Sequence, residues 1–564
     1  MKNRHQAMSV LAVLLGTAAL CAWAQAQEAG SAAPAKTAAP KKIGFHTAVY
    51  DAQGKLLPWT SWDDAVGREV NWYLKCPADD HGYPLYASTT FLDGHYKPSR
   101  MDNIPCTQDG MGILSYLKYW EYTGRNDQRV LNRARAFGNY LVRETLTPDR
   151  GAYPRFTRST GFYMDFPLFR SSQGDARHGR NIVQPDKGGI AGYALVKLYE
   201  ATDQRCYLQQ AVQNAEVLVR NMRPGDALHS PWPYRVDSIT GQHWGDRSAD
   251  MVYILRLFDE LIGLGRDNFR APRAALWKWM KTYQIPSPEE PARCLWVQFF
   301  EDYDLDTNRN SWSPLETARY LIKRKESLDQ DWKADAERLI QFALKHFSQH
   351  APGGATLMGE QDDDKSPWGG ACSKLGGVCA LFYAAGGGDR YKEIAYRNLT
   401  WMTYFIDNDG CPGQCAKLER TGRGGWQEDC HTDVLHNFMD AIRAVPEWAG
   451  WPDAPSDRQQ IAALLVKWKD ALAARDIPRL MTLYAPSFKS EGRDKAAMAA
   501  YLRAEIRHGD LGEVVARTED ATVAIDGGKA TVRPISVGKR TGASSIGLEL
   551  TKQDGQWLIT GMEL

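Results

Sequence analysis

Gly188–Met222 reads GGIAGYALVKLYEATDQRCYLQQAVQNAEVLVRNM. Leu195, Leu198 and Tyr199 recur at helical spacing, so the first half is a helix with a wide apolar face. Ala201-Thr202-Asp203-Gln204 then breaks the pattern with turn and capping residues. Leu208, Val212, Ala215, Val217 and Leu218 mark a second helix. A link this short makes the two helices antiparallel neighbours. Neither can bury its apolar face alone, so the hairpin must stack on copies of itself.

The copies are present. Gly110–Glu144 turns at Thr123-Gly124-Arg125-Asn126-Asp127, and Asp250–Tyr283 at Leu264-Gly265-Arg266-Asp267. Trp312–Phe347 turns at Ser327-Leu328-Asp329, and Gly370–Phe405 at Gly386-Gly387-Gly388-Asp389. Glu428–Val445 is a single helix that the early helix Trp62–Lys75 could complete across the chain ends, giving about six hairpins. The first helix of each hairpin is rich in Gly, Ala and large apolar residues and reads as buried. The second carries more Arg, Lys and Gln and reads as peripheral. An inner ring of helices within an outer ring is an α/α toroid. The alternative, an open solenoid, would have short uniform links, whereas the links here are long and aromatic.

The chain has 564 residues, with 69 basic and 68 acidic side chains and a formal charge of +1. That balance, without basic runs, gives no field to recruit nucleic acid. With 19 Trp, 25 Tyr and 17 Phe, the loops have aromatic surface to spare for stacking on sugar rings. Lys2 and Arg4, the apolar run Met8–Leu20 and the cleavage-site patterns Ala22-Trp23-Ala24 and Ala24-Gln25-Ala26 read as a cleaved export signal over residues 1–26. The expected location is periplasmic or secreted, with no membrane insertion, because the apolar run is too short for a usual span. Residues 27–42, rich in Ala, Pro and Lys, read as a flexible linker. In an oxidising compartment the nine later cysteines predict disulfides, with Cys76–Cys106 and Cys411–Cys415 as candidate pairs. Zinc at Cys411, Cys415, Cys430 and His431 is the lesser alternative, so no metal and no cofactor is expected.

The repeat pattern stops at Trp451-Pro452-Asp453-Ala454-Pro455, which divides a toroid over 43–451 from a second domain over 456–564. There, helices over Ser456–Ala474, Asp476–Tyr484 and Arg493–His508 precede alternating strands at Glu513–Ala524, Lys529–Val537, Ser545–Lys552 and Gln556–Leu564. This order, closed by Asp554-Gly555-Gln556-Trp557, resembles the NTF2-like (SnoaL-like) α+β cone. The resemblance implies an accessory module and, by analogy, a homodimer through it.

The hairpins over Trp59–Trp451 resemble the six-hairpin glycosidase-like (α/α)6 enzymes: glycoside hydrolases, polysaccharide lyases and sugar epimerases. The resemblance implies catalytic acids where the chain enters the inner helices. The matching positions are Asp102 and Asp109, Asp186, Asp246 and Asp250, and Glu428-Asp429. Asp186, Glu428, Asp429 and then Asp109 are the catalytic candidates, as the two carboxylates that glycoside hydrolysis needs. Helix capping is the plainer role for each. The long loops leading to these positions should form a cleft at that end of the toroid, binding a poly- or oligosaccharide. Their candidate contacts are Asp102, Tyr153, Arg155, Arg158, His178, Trp232, Arg235, His243, Trp244, Asp246, Trp368, Trp426 and His431. A second chemistry is written in Gly151–Gly161, where Tyr153, Arg155, Phe156 and Arg158 alternate, with Arg170, Arg177, His178 and Arg180 beyond. Arg binds carboxylates in a fork, so β-elimination on a uronate, with Tyr153, Tyr163, His178 or His243 as base, is the alternative. A glycan-binding scaffold without catalysis is the third reading. No phosphate loop, serine elbow or two-His metal helix occurs.

Overall fold

The computed structural model describes residues 42–51, 53–76, 78, 81–84, 105–159, 181–299, 307–351, 353–413, 427–449, 457–508, 515–518, 521–539, 542–553 and 556–563. Among the described residues, twelve α-helices make the first part. Six are inner: α2 (Pro105–Tyr122), α4 (Pro185–Thr202), α6 (Met251–Gly263), α8 (Trp312–Arg324), α10 (Gly369–Ala384) and α12 (Gln427–Ala444). Six are outer: α1 (Trp62–Tyr73), α3 (Gln128–Arg143), α5 (Arg205–Arg220), α7 (Arg270–Trp279), α9 (Trp332–Phe347) and α11 (Asp389–Thr403). Inner helices are apolar on most faces, and in α10 the run Gly369–Ala380 is wholly buried. Outer helices are amphipathic, as α3 is, burying Val130, Leu131, Ala134, Phe137 and Leu141.

Each inner helix meets the next, and the ring closes. The site of a Cβ on Gly110 of α2 is 2.9 Å from Ile190 of α4, and that on Gly189 of α4 is 2.7 Å from the backbone nitrogen of Ile254 in α6. Arg256 of α6 pairs with Glu316 of α8 at 3.0 Å, and Glu316 with Lys374 of α10 at 3.0 Å. Gly377 of α10 backs onto Asn437 of α12. Closure comes where Ser115 of α2 donates to the Thr432 carbonyl of α12 at 2.7 Å. The outer helix α1 lies against α12 and α11, so the first helix of the fold completes the hairpin of the last.

Short strands trim the ring. β1 (Lys42–Ile43) pairs β2 (His46–Thr47), and β3 (Val49–Tyr50) pairs β4 (Leu56–Leu57). β5 (Ile182–Val183), β6 (Arg235–Asp237) and β7 (His243–Trp244) form an antiparallel sheet with Val183 opposite Val236 and Arg235 opposite Trp244. β8 (Ser348–His350) pairs β9 (Thr356–Met358).

A second hydrophobic core, from Ile461 to Ile559, shares no residue with the first, from Ile43 to Ile442. It is built by α13 (Asp457–Ala473), α14 (Ile477–Thr482), α15 (Lys495–His508) and an antiparallel sheet. The hairpin β10 (Lys489–Ser490) and β11 (Arg493–Asp494) precedes α15. The sheet runs β12 (Val515–Arg517), β14 (Lys529–Lys539), β15 (Gly542–Gln553), β16 (Gln556–Glu563), with β13 (Thr522–Asp526) also on β14. The expected strand Glu513–Ala524 is thus two strands. Asp526 faces Lys529 across a two-residue turn in which Gly527 takes φ +54°. The β14–β15 register shifts between Val532 and Ile535, around Pro534, which has no N–H to give the ladder.

Two expectations are corrected. No disulfide forms among the described residues. Cys106 is buried with its thiol donating to the Thr157 carbonyl at 3.3 Å, and Cys76 Sγ lies 3.9 Å from the Trp72 carbonyl one turn back, so the Cys76–Cys106 pair is not made. Cys415 lies outside the described residues. Asp109 does not precede its helix: α2 begins at Pro105, placing Asp109 inside it and buried. Among the described residues no helix is long and apolar enough to cross a membrane.

Candidate active site

The sheet β5–β6–β7 brings two acids together. β5 runs straight into α4, whose first turn holds Asp186 and Lys187; the β6–β7 hairpin leads into Ser248 and Asp250 at the start of α6. Asp186 accepts from the Lys187 backbone N–H at 2.8 Å and from Ser248 Oγ at 2.6 Å. Lys187 Nζ lies 3.8 Å from Asp186 and 3.4 Å from Asp250, so the two carboxyls stand within about 7 Å of each other. Asp250 occupies the N-cap position of α6, yet its side chain makes no capping bond. Capping therefore does not account for it. Asp186, Lys187 and Asp250 are all fully buried. Burial raises the Asp250 carboxyl to about 7, against the opposing pull of the Lys187 ammonium.

A second set continues down the toroid axis. Lys374 Nζ bridges Glu316 at 3.0 Å and Asp433 at 3.2 Å, and the Trp312 indole N–H points at Asp433 at 3.3 Å. Two aromatic rings join the sets. The Lys187 ammonium sits 3.7 Å from the Phe299 ring centre and the Lys374 ammonium 3.5 Å from that of Trp312, while Phe299 and Trp312 stack at 5.0 Å. Burial raises the Asp433 carboxyl. Glu316 is buried too, but Arg319, Lys374 and Arg256 hold its carboxyl well below the usual range. From Glu316 the chain of charges passes through Arg319 to Asp440, which Lys118 and Lys323 also reach.

The other sequence candidates scatter. Tyr153 is buried edge-on to Phe156, and Arg158 is also buried. Arg155 is exposed. Trp232 is buried with its N–H on the Leu218 carbonyl, and Arg235 is buried against the Tyr234 ring. His243 and Asp246 form an exposed pair at 3.5 Å beside the half-buried Trp244. Trp368 is half-buried at the start of α10. His431 is buried against other partners than Asp186 and Asp250: Nδ1 lies 3.2 Å from Glu69, Nε2 bonds the Tyr116 hydroxyl at 3.0 Å, and the ring stacks on Tyr73. Asp102, Tyr163, Arg170, Arg177, His178, Arg180 and Trp426 lie outside the described residues, as do the side chains of Glu428 and Asp429 in the first turn of α12. Among the described residues no group of His, Cys, Asp and Glu is placed to hold a metal ion.

Lys187, Glu316, Lys374 and Trp312 were not singled out from sequence. Their signal was there: α10 reads GGACSKLGGVCALFYA, with one charge in an otherwise uncharged buried helix. A buried Lys must be paired, so a lone Lys on an all-apolar helix marks a charged partner across the ring.

No protein-family model matches the sequence, and neither does any curated protein. Among solved structures, a cellobiose 2-epimerase from Spirochaeta thermophila matches over 68% of this chain and 96% of its own, at 14% identity and a TM-score of 0.50. The chain has the (α/α)6 toroid fold. Two weaker matches are a sugar epimerase from a ruminal bacterium (12% identity, TM-score 0.49, 68% of this chain and 98% of that one) and a family 76 glycoside hydrolase from a bovine Bacteroides thetaiotaomicron strain (12%, 0.47, 69% and 78%). At such identities the likeness is one of fold.

Proposed function

We propose that the protein is an exported carbohydrate-active enzyme that cleaves glycosidic bonds by hydrolysis, with Asp186 and Asp250 as its acid pair. One observation carries the reading: two carboxyls within about 7 Å, at the mouth of adjacent inner helices, in unlike environments. Hydrolysis asks for carboxyls roughly 5–10 Å apart, one holding a proton and one not. Asp250, raised to about 7, supplies the proton to the leaving oxygen. Asp186, fixed by the Lys187 N–H and Ser248, presents an acceptor to water or to the anomeric carbon. Lys187 stabilises whichever carboxyl is charged at each stage. Both acids are fully buried, so substrate reaches them only when the residues around them move. Export rests on the N-terminal signal pattern, and a homodimer through residues 456–564 on the resemblance of that segment.

The same pair would serve a sugar isomerisation, where one group removes a carbon-bound proton and the other returns it. Epimerisation is the activity named for the Spirochaeta protein whose fold this chain shares. The two readings separate in one experiment. The protein is incubated with neutral and acidic glycans and with their disaccharides, and products are read as new reducing ends, as ultraviolet absorbance of a conjugated C=C, and by chromatography of isomers. New reducing ends without absorbance are expected. Absorbance would mean elimination, and isomers without new ends would mean epimerisation. Asp186→Asn and Asp250→Asn should each lower turnover by roughly 100-fold or more with the fold intact. Retention of activity in both would remove this pair from the chemistry.

A further inference from the structure

A cavity of about 470 Å³ opens at the other end of the toroid, where the inner helices finish. Its size suits a small molecule. Lys118 from α2, Arg319 and Lys323 from α8 and His436 from α12 line it, with Trp120 and Tyr193 as apolar faces.

The charges there do not balance locally. Lys118 reaches Asp440 at 2.8 Å and Lys323 reaches it at 3.0 Å, and Arg319 joins them on the same carboxylate. Arg256 and Lys374 share Glu316 with Arg319, and Lys374 also takes Asp433. In the cavity wall itself, eight basic side chains stand against four acids. The acids in the cavity wall are already engaged: Glu121 pairs with Arg443, Asp259 with Arg273, and Glu200 and Glu260 share Lys197. Cations at helix C-termini offset the helix dipole. Lys118 and Arg319 lie inside their helices, before the last turn, so that role does not explain them. His436 lies against them, with Nε2 2.6 Å from Lys118 Nζ and with Nδ1 buried and lacking a hydrogen-bond partner.

We propose that this cavity is a second ligand site, separate from the acid pair, for a small molecule carrying a carboxylate or phosphate on a sugar-sized body, held by Lys118 and Lys323. The anion offsets the excess of basic groups in the wall, and the sugar body lies along Trp120 and Tyr193.

Calorimetric titration of the full chain at low ionic strength, with glucuronate, inorganic phosphate and neutral glucose, tests this. Saturable binding of glucuronate is expected, and none of glucose. Equal binding of phosphate would assign recognition to the anionic group; silence with phosphate would add the sugar body to it. Lys323 is 43% exposed, so Lys323→Gln should fold normally and weaken binding at least roughly tenfold. Lys323→Arg, keeping the charge, should restore it. Asp250→Asn should bind as the parent does. No saturable anion binding, binding unchanged in Lys323→Gln, or binding lost in Asp250→Asn would each overturn the proposal.

Discussion

Asp250 Oδ1 is buried without a hydrogen bond, while Oδ2 faces Lys187. Burial outweighs the lysine and lifts the carboxyl from 3.8 to about 7. Folding therefore binds a proton that the unfolded chain has released between those two values. The stability this group contributes is complete below about pH 4 and is lost as pH rises through about 7. Asp250→Asn should remove that component, giving a flatter melting temperature against pH over this window; an unchanged slope would mean that Asp250 ionises normally in the fold. Lys374 makes the opposite case. It is fully buried between Glu316 and Asp433, and Lys374→Met leaves Asp433 with only the Trp312 N–H among the partners named above. A loss of about 3–5 kcal/mol in urea unfolding is expected, partly recovered by adding Asp433→Asn. At this scale the sequence named Asp186 through its place before an apolar helix. It could not show that Ser248 and Asp250 would close on it, or that Phe299 would lie against Lys187, because these arrive from segments far along the chain.

Helices and turns were readable because each depends on near neighbours. Leu195, Leu198 and Tyr199 specify α4 locally, and Gly386-Gly387-Gly388 ends a hairpin wherever it stands. The mouth was not readable in the same way. The long links were expected to frame an open cleft, yet their described parts fold down as β5–β7, β8–β9 and the bridges Val297–Arg309 and Asn310–Gln361, burying the acids. Such pairings join residues that no local pattern connects. Glycine shows the cost of the close helix approach that results. A Cβ on Gly189 would meet the Ile254 backbone nitrogen at 2.7 Å, and backbone inside a helix cannot turn aside as a side chain can. Gly189→Ala should destabilise the toroid by about 1–3 kcal/mol despite the better helix propensity of alanine. Gly263→Ala, with nothing within 4 Å, is the control that should be neutral or stabilising. Equal effects at the two positions would mean that α4 and α6 are free to part.

Closure governs the whole first core. In an open solenoid each repeat rests on its neighbours, so removing a terminal repeat costs one interface and leaves the rest folded. Here α12 touches α10 on one side and α2 on the other, and it carries Asp433, Asn437 and Asp440 for the buried cations Lys374 and Arg319 and the half-buried Lys118. Removing α12 opens two helix faces and strands these charges together, in a low-dielectric interior where an unpaired cation is costly. A chain ending at residue 426 should therefore lose the toroid entirely, with no cooperative thermal transition. A chain ending at residue 450 keeps every member of the first core and should melt as that core does in the full protein. A cooperative transition in the 426 chain, lowered by a few degrees, would instead show that the hairpins stand as an open array and that contact between α12 and α2 adds little to their stability.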